Sequence, residues 1–133
     1  ARGSTFTCGT VKNKGCVLIM FFGVTEEKIK KWTHKGKVKK IIKATEDSNE
    51  EIRIIAISAL GELQADEAFN KLVLLLRDPD AEIRGLACEA LGRQGKALAT
   101  EHLKYVATND ENEDVREKAT EALGLVVTQQ EEE

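Results

Sequence analysis

At 133 residues the chain is long enough for one domain with a continuous core. Hydrophobic residues make up 41% and charged residues 32%; one proline and 5% aromatics argue against a turn-rich all-β fold, and no apolar run approaches the roughly 20 residues that cross a bilayer. The net charge of −3 conceals an asymmetry: residues 1–45 hold 11 Lys/Arg against 2 Glu, a net of +9, and residues 46–133 hold 9 Lys/Arg against 21 Asp/Glu, a net of −12.

Residues 1–24 contain four glycines and no helical period, which marks an irregular segment. Arg2, Lys12 and Lys14 precede the apolar run Val17 to Phe22, a superficial likeness to a signal peptide, but no small-residue cleavage pattern follows. Met20, the only methionine, would make a natural start and leave residues 1–19 as vector or upstream sequence; otherwise the apolar run must cover an end of the core. Cys8 and Cys16 could pair. An odd total with Cys88, and no regular framework, favours free thiols in a reducing compartment, and the expected location is cytoplasmic.

From Thr25 onward the pattern is helical. Thr25-Glu26-Glu27 suits a cap with acids at the positive end of a helix that stops at Gly36. A second helix over 37–46 puts Val38, Ile41, Ile42 and Thr45 on one face. Asp47-Ser48-Asn49 reads as turn and cap. A third helix over 50–63 carries the stripe Ile52, Ile55, Ala56, Ala59, Leu60, Leu63. Asp66 is expected to cap a fourth over 67–77, with Phe69, Leu72, Val73 and Leu76 inward. Asp78-Pro79-Asp80 breaks the chain. Helices over 81–93, 96–108 and 112–126 follow, and residues 128–133 form an acidic tail expected to fray.

One signature recurs: EIRIIAISALG, EIRGLACEALG and DVREKATEALG. Ile52, Ile83 and Val115 repeat at intervals of about 31 residues, as do Arg53, Arg84 and Arg116 and the glycines 61, 92 and 124. Two helices with short turns fill such an interval, so each repeat is an antiparallel helix pair. Ala56/Ala59, Ala87/Ala90 and Ala119/Ala122 let neighbouring helices approach, and Leu60, Leu91 and Leu123 fill the space between layers. The glycines, each costing about 1 kcal/mol within a helix, fit near a helix end or where the next layer leaves no room.

Over about residues 25–127 the chain resembles HEAT repeats of the short form also called phycobilisome-lyase-type, on the pieces IRIIAISALG, DPDAEIRGLACEALG and EDVREKATEALG. The resemblance implies an all-α fold: a right-handed α-α superhelix of about three and a half helix pairs. It also implies a structural ladder in which Arg53, Arg84 and Arg116 pair with loop aspartates, the candidates being Asp78, Asp80, Asp110 and Asp114. Bidentate pairing explains arginine in preference to lysine. The last helix, 112–126, lacks a partner, so Val115, Ala119, Ala122, Leu123 and Val126 are expected to be partly uncovered and to offer a contact for another copy.

No catalytic constellation emerges. His34 and His102 lie two helices apart with no zinc-type spacing, Ser4, Ser48 and Ser58 have no nearby histidine, and Cys88 reads as a packing thiol. No cofactor or metal is expected. Residues 28–43 hold eight lysines and Trp32, which could meet phosphates and a base. The acidic repeats downstream oppose a nucleic-acid track, and a solvated cap over a half-buried Trp32 is the preferred reading. In a curved stack the second helices line the concave face, which makes Lys39, Lys40 and Lys43, then Asn70, Lys71 and Leu74, then Glu101, His102 and Tyr105 the candidate binding surface. Leu74 and Tyr105 occupy equivalent positions as a candidate anchor pair. The function read from this is a non-catalytic protein–protein scaffold; the alternatives are a bilin-lyase-like component, by family analogy, and nucleic-acid binding through residues 28–43.

Overall fold

A computed structural model describes residues 23–132. Among them lie seven helices: α1 (Glu26–His34), α2 (Val38–Ala44), α3 (Glu50–Leu60), α4 (Asp66–Leu75), α5 (Ala81–Gln94), α6 (Ala99–Asn109) and α7 (Glu113–Glu132). Readings that fall on residues 1–22, including the Met20 start, the 17–22 run and a Cys8–Cys16 pair, lie outside the described residues.

The helices form pairs, and the pairs stack. α1 packs on α3, α3 on α5 and α5 on α7, while α2 packs beside α4. α7 also lies against α6, and α2–α3 and α4–α5 contacts join the two layers. The result is an α-α solenoid. Its core is the recurring stripe: Ala56, Leu60, Ala87, Ala90, Leu91 and Ala119 are fully enclosed. Each buried leucine contributes roughly 2 kcal/mol from area alone. The glycines that end the first two signatures have their reason in the next storey. A Cβ on Gly61 would stand 3.0 Å from the Cα and Cβ of Ala90, and one on Gly92 would stand 3.0 Å from those of Ala122. Close approach of α3 to α5, and of α5 to α7, therefore needs glycine below and alanine above.

Two turns use the left-handed region that glycine tolerates: Gly36 (φ 68) after α1 and Gly95 (φ 67) after α5. Gln94, just before the second, is buried and donates from Nε2 to the Leu60 and Leu63 carbonyls at 3.0 and 2.8 Å. It serves the Leu63 carbonyl just beyond α3 and is a second donor to the Leu60 carbonyl, which also accepts the Leu63 N–H at 3.2 Å.

Four expectations need correction. Asp66 is the first residue of α4, not its cap; Ala65 holds that place without a side-chain bond, and Asp66 instead accepts from Lys96 at 3.1 Å. α6 starts at Ala99, because residues 96–98 form tight turns in which the Ala99 and Thr100 N–H groups reach Lys96 and Ala97. The 128–133 tail does not fray through Glu132: α7 continues, and Gln130 Nε2 donates to the Gly95 carbonyl at 2.8 Å. The apolar side of α7 is not bare. Val115, Ala119, Ala122 and Val126 are at most 2% exposed, because α5 and α6 together cover them, and of the five residues expected to be partly uncovered only Leu123 is half-buried.

Candidate partner-binding cleft and the corner that shapes it

Each signature helix begins at the same corner, written Asp-x-(Asn/Asp)-x-x-(Ile/Val)-Arg. At Asp47, Asp78 and Asp110 the carboxylate accepts the N–H two residues on, from Asn49, Asp80 and Asn112, each at 2.9 Å. That second residue caps the helix. Asn49 accepts from Glu51 N–H and Asp80 from Glu82 N–H, both at 2.9 Å, and Asn112 accepts from Val115 N–H at 3.2 Å. The arginine in the first turn then closes the loop from within. Nη1 of Arg53 and of Arg84 donates to the Asp47 and Asp78 carbonyls at 2.8 Å, and Arg116 bonds the Asp110 carbonyl in the same way.

Arg84 does more. Its Nε meets Asp110 Oδ2 at 2.8 Å and its Nη2 meets Asp110 Oδ1 at 3.1 Å, a two-point grip between successive corners. Both side chains are about nine-tenths buried. Burial works to raise the Asp110 carboxyl, but the Arg84 hydrogen bond, the Asn112 N–H and the Arg84 and Arg116 charges outweigh it and hold the group below the usual carboxylate range. The bond to Asp110 likewise raises Arg84. Asp80 serves as a cap and Asp114 makes no ion pair among the described residues, so Asp110 is the carboxylate that meets an arginine.

This corner forms one end of a cleft of about 620 Å³ between α4 and α6. Val73, Leu76 and Val106 line its apolar part, Tyr105 stands beside them 70% exposed, and Arg77, Asp78, Glu101 and Glu111 bring charge to it. Phe69 braces the start of α6. Its ring takes the edge of His102 (centroids 6.4 Å apart, planes at 66°), and the Lys96 ammonium lies 5.7 Å from its centroid.

Of the residues expected on the binding surface, Glu101, His102 and Tyr105 line this cleft together. Leu74 and Asn70 are exposed on α4 but outside it. Lys71 is half-buried and tied to Glu46 at 2.9 Å, so its charge serves the joint with the end of α2. Lys39 and Lys43 are exposed on α2, and Lys40 lies 5.6 Å from the centroid of the half-buried Trp32 ring, occupying the face a base would need. The sequence marks Val73 as an inward residue of α4 but gives no sign of Arg77, Asn109 and Glu111. No periodic signal marks them, since the cleft depends on how far α4 and α6 splay. Among the described residues no helix is long and apolar enough to cross a membrane.

Stacked helix pairs with a buried Asp–Arg corner between them define a repeat protein of the α-solenoid class. The sequence matches the HEAT-repeat family over residues 38–124, about two thirds of its length, and the chain belongs to that family. No curated protein matches it. Among solved structures it is similar to an engineered protein whose crystal structure came from a structural genomics consortium. The identity is 24% and the TM-score 0.53, over 78% of this chain and 51% of that one. The chain thus spans about half the length of that structure, and the likeness is one of fold.

Proposed function

We propose that the chain is a non-catalytic protein-interaction module that holds a segment of another protein in the cleft between α4 and α6. The observation that carries the reading is the exposed Tyr105 ring beside Val73, Leu76 and Val106 in a trough otherwise lined by polar and charged side chains, a placement that leaves apolar surface in water unless something covers it. Asp78, Glu101 and Glu111 outnumber Arg77 around the trough once the Arg84–Asp110 pair is counted as neutral. The segment that fits carries an aromatic or aliphatic anchor beside a lysine or arginine. Leu74, 67% exposed on the neighbouring helix, extends the apolar contact beyond the trough.

The reading is tested by selecting displayed peptides against the immobilised chain and measuring their affinity by titration. Enriched peptides should pair an apolar anchor with a basic residue and should bind Tyr105→Ala at least tenfold more weakly, with Leu74→Glu weakening them less. Peptides that bind Tyr105→Ala as tightly as the parent, when both unfold at the same denaturant concentration, would refute it.

A further inference from the structure

The first seam of the stack is built differently from the two that follow it. In those, Gly61 lies under Ala90 and Gly92 under Ala122. α1 carries no glycine; Thr33 and Ala59 line the first seam together, in a groove of about 730 Å³ between α1 and α3. A branched Cβ keeps two helices further apart than a glycine does. The Thr33 hydroxyl donates to the Ile29 carbonyl at 2.8 Å, so it adds no free donor to the groove. The floor is apolar: Ile29 and Ala59 are buried, and Ile54, Ile55 and Leu63 are half-buried. The rim is charged, with the Glu26–Lys30 pair at 2.7 Å and the exposed Glu62. Ile54 has the equivalents Gly85 and Glu117 in the later signatures. Gly85 lies under the Lys118 stem and Glu117 is exposed. Of the three copies, only α3 puts a large apolar side chain at this outer position.

We propose that the chain covers this groove with its own apolar run, Val17 to Phe22, laid between α1 and α3 in the direction opposite to α1. The point of entry, the length and the charge all fit this occupant. The run ends at Phe22, and the residues after it already sit at the start of α1: Val24 packs against the core, and the Gly23 carbonyl accepts from Lys28 Nζ at 2.9 Å. The groove begins at Glu26, so hardly any linker separates it from the run, and the segment is held there at high local concentration. Six extended residues span about 20 Å, against about 12 Å along α1 from Glu26 to His34, so the run reaches the whole groove. Lys12 and Lys14 precede the run and arrive at the far end, where Glu62 is exposed. The groove is separate from the α4–α6 cleft, and its test is independent of that reading.

The probe is a benzophenone side chain, Ile54→p-benzoylphenylalanine, in the full chain, irradiated and mapped by proteolysis and mass spectrometry. Adducts should fall within residues 17–22, and the same probe at Tyr105, on the α4–α6 cleft, should leave that run unlabelled. An equal mixture of isotope-labelled and unlabelled chains should give adducts within single chains. Adducts outside the run, equal capture from position 105, or adducts joining two isotopes would overturn the inference; the last would make a second copy's run the occupant. A second measurement avoids the bulky probe. Leu18→Ser with Phe21→Ser should lower the urea midpoint of the parent, and should move that of Ile54→Asp by no more than about half as much, because contacting groups do not contribute additively. Equal shifts in the two backgrounds, or no shift in the parent, would overturn it too.

Discussion

Arg84 and Asp110 are 26 residues apart, yet they meet by two hydrogen bonds of 2.8 and 3.1 Å, and the same arginine also holds the Asp78 and Pro79 carbonyls. One guanidinium thus closes its own corner and fastens the next repeat to it. Removing one member of a buried pair leaves the other uncompensated, at a cost of about 3–5 kcal/mol. Arg84→Ala should lose that much in urea denaturation. Arg84→Lys should recover only part of it, since an ammonium cannot span both carboxylate oxygens and both carbonyls. Arg53 makes the Asp47 carbonyl contact but no ion pair among the described residues, so Arg53→Ala should cost less, about 1–2 kcal/mol.

The same pair gives a pH dependence whose sign follows from Asp110. Its folded carboxyl titrates below the ordinary value of about 3.9. The stabilisation is therefore complete above that value. It is lost as pH falls through it towards the lower folded value, because the unfolded chain takes up the proton first. Stability measured between neutral pH and pH 3 should fall, and Asp110→Asn, less stable at neutral pH, should show a shallower fall. A slope unchanged in Asp110→Asn would place the acid sensitivity elsewhere, for example at Glu46, which Lys71 also lowers.

What could be read in the sequence was whatever repeats. Three copies of the Ala-x-x-Ala-Leu-Gly end carried the helix pairs and their stacking, because burial imposes the same residue at the same place in each storey. The Asp-x-(Asn/Asp) corner was equally visible at 47, 78 and 110, but the ladder that the family resemblance implies gives the aspartates only the role of ion-pair partners, which hides their backbone work and brings in Asp80 and Asp114. Non-repeating features could not be read. Lys71 looks like a free surface cation until the fold brings Glu46 within 2.9 Å, and Gln94 stands where the other repeats have Leu63 and Val126. The cleft is set by the distance between α4 and α6, which no spacing in the chain encodes.

Cys88 is fully enclosed in α5, and burial, followed by the nearby Asp110 and Glu89 charges, pushes its thiol up to about 12. The thiolate is the reactive form, so at pH 8 the folded chain should modify Cys88 only as fast as it opens. In a chain with Cys8 and Cys16 changed to serine, disulfide reagent should react slowly in buffer and at once in denaturant. Arg84→Ala should speed the reaction by raising the open population, and prompt labelling of the native parent would contradict the burial.

The three signature glycines should answer the same substitution differently. Alanine in place of Gly124 meets open space and has better helix propensity, so Gly124→Ala should gain up to about 1 kcal/mol. At Gly92 the same methyl lands 3.0 Å from the backbone and Cβ of Ala122, so the propensity gain is offset by displacement of α7, and Gly92→Leu should lose roughly 1–3 kcal/mol from overpacking. Gly61 faces Ala90 at the same distance but closes α3 as its C-cap, where helix propensity counts less, so Gly61→Ala should fall below Gly92→Ala in urea midpoint. A midpoint order of 124 above 92 above 61 for the alanine variants follows from contact with the next storey. Equal gains at all three would mean that the α3–α5 and α5–α7 seams are looser than the 3.0 Å approach requires.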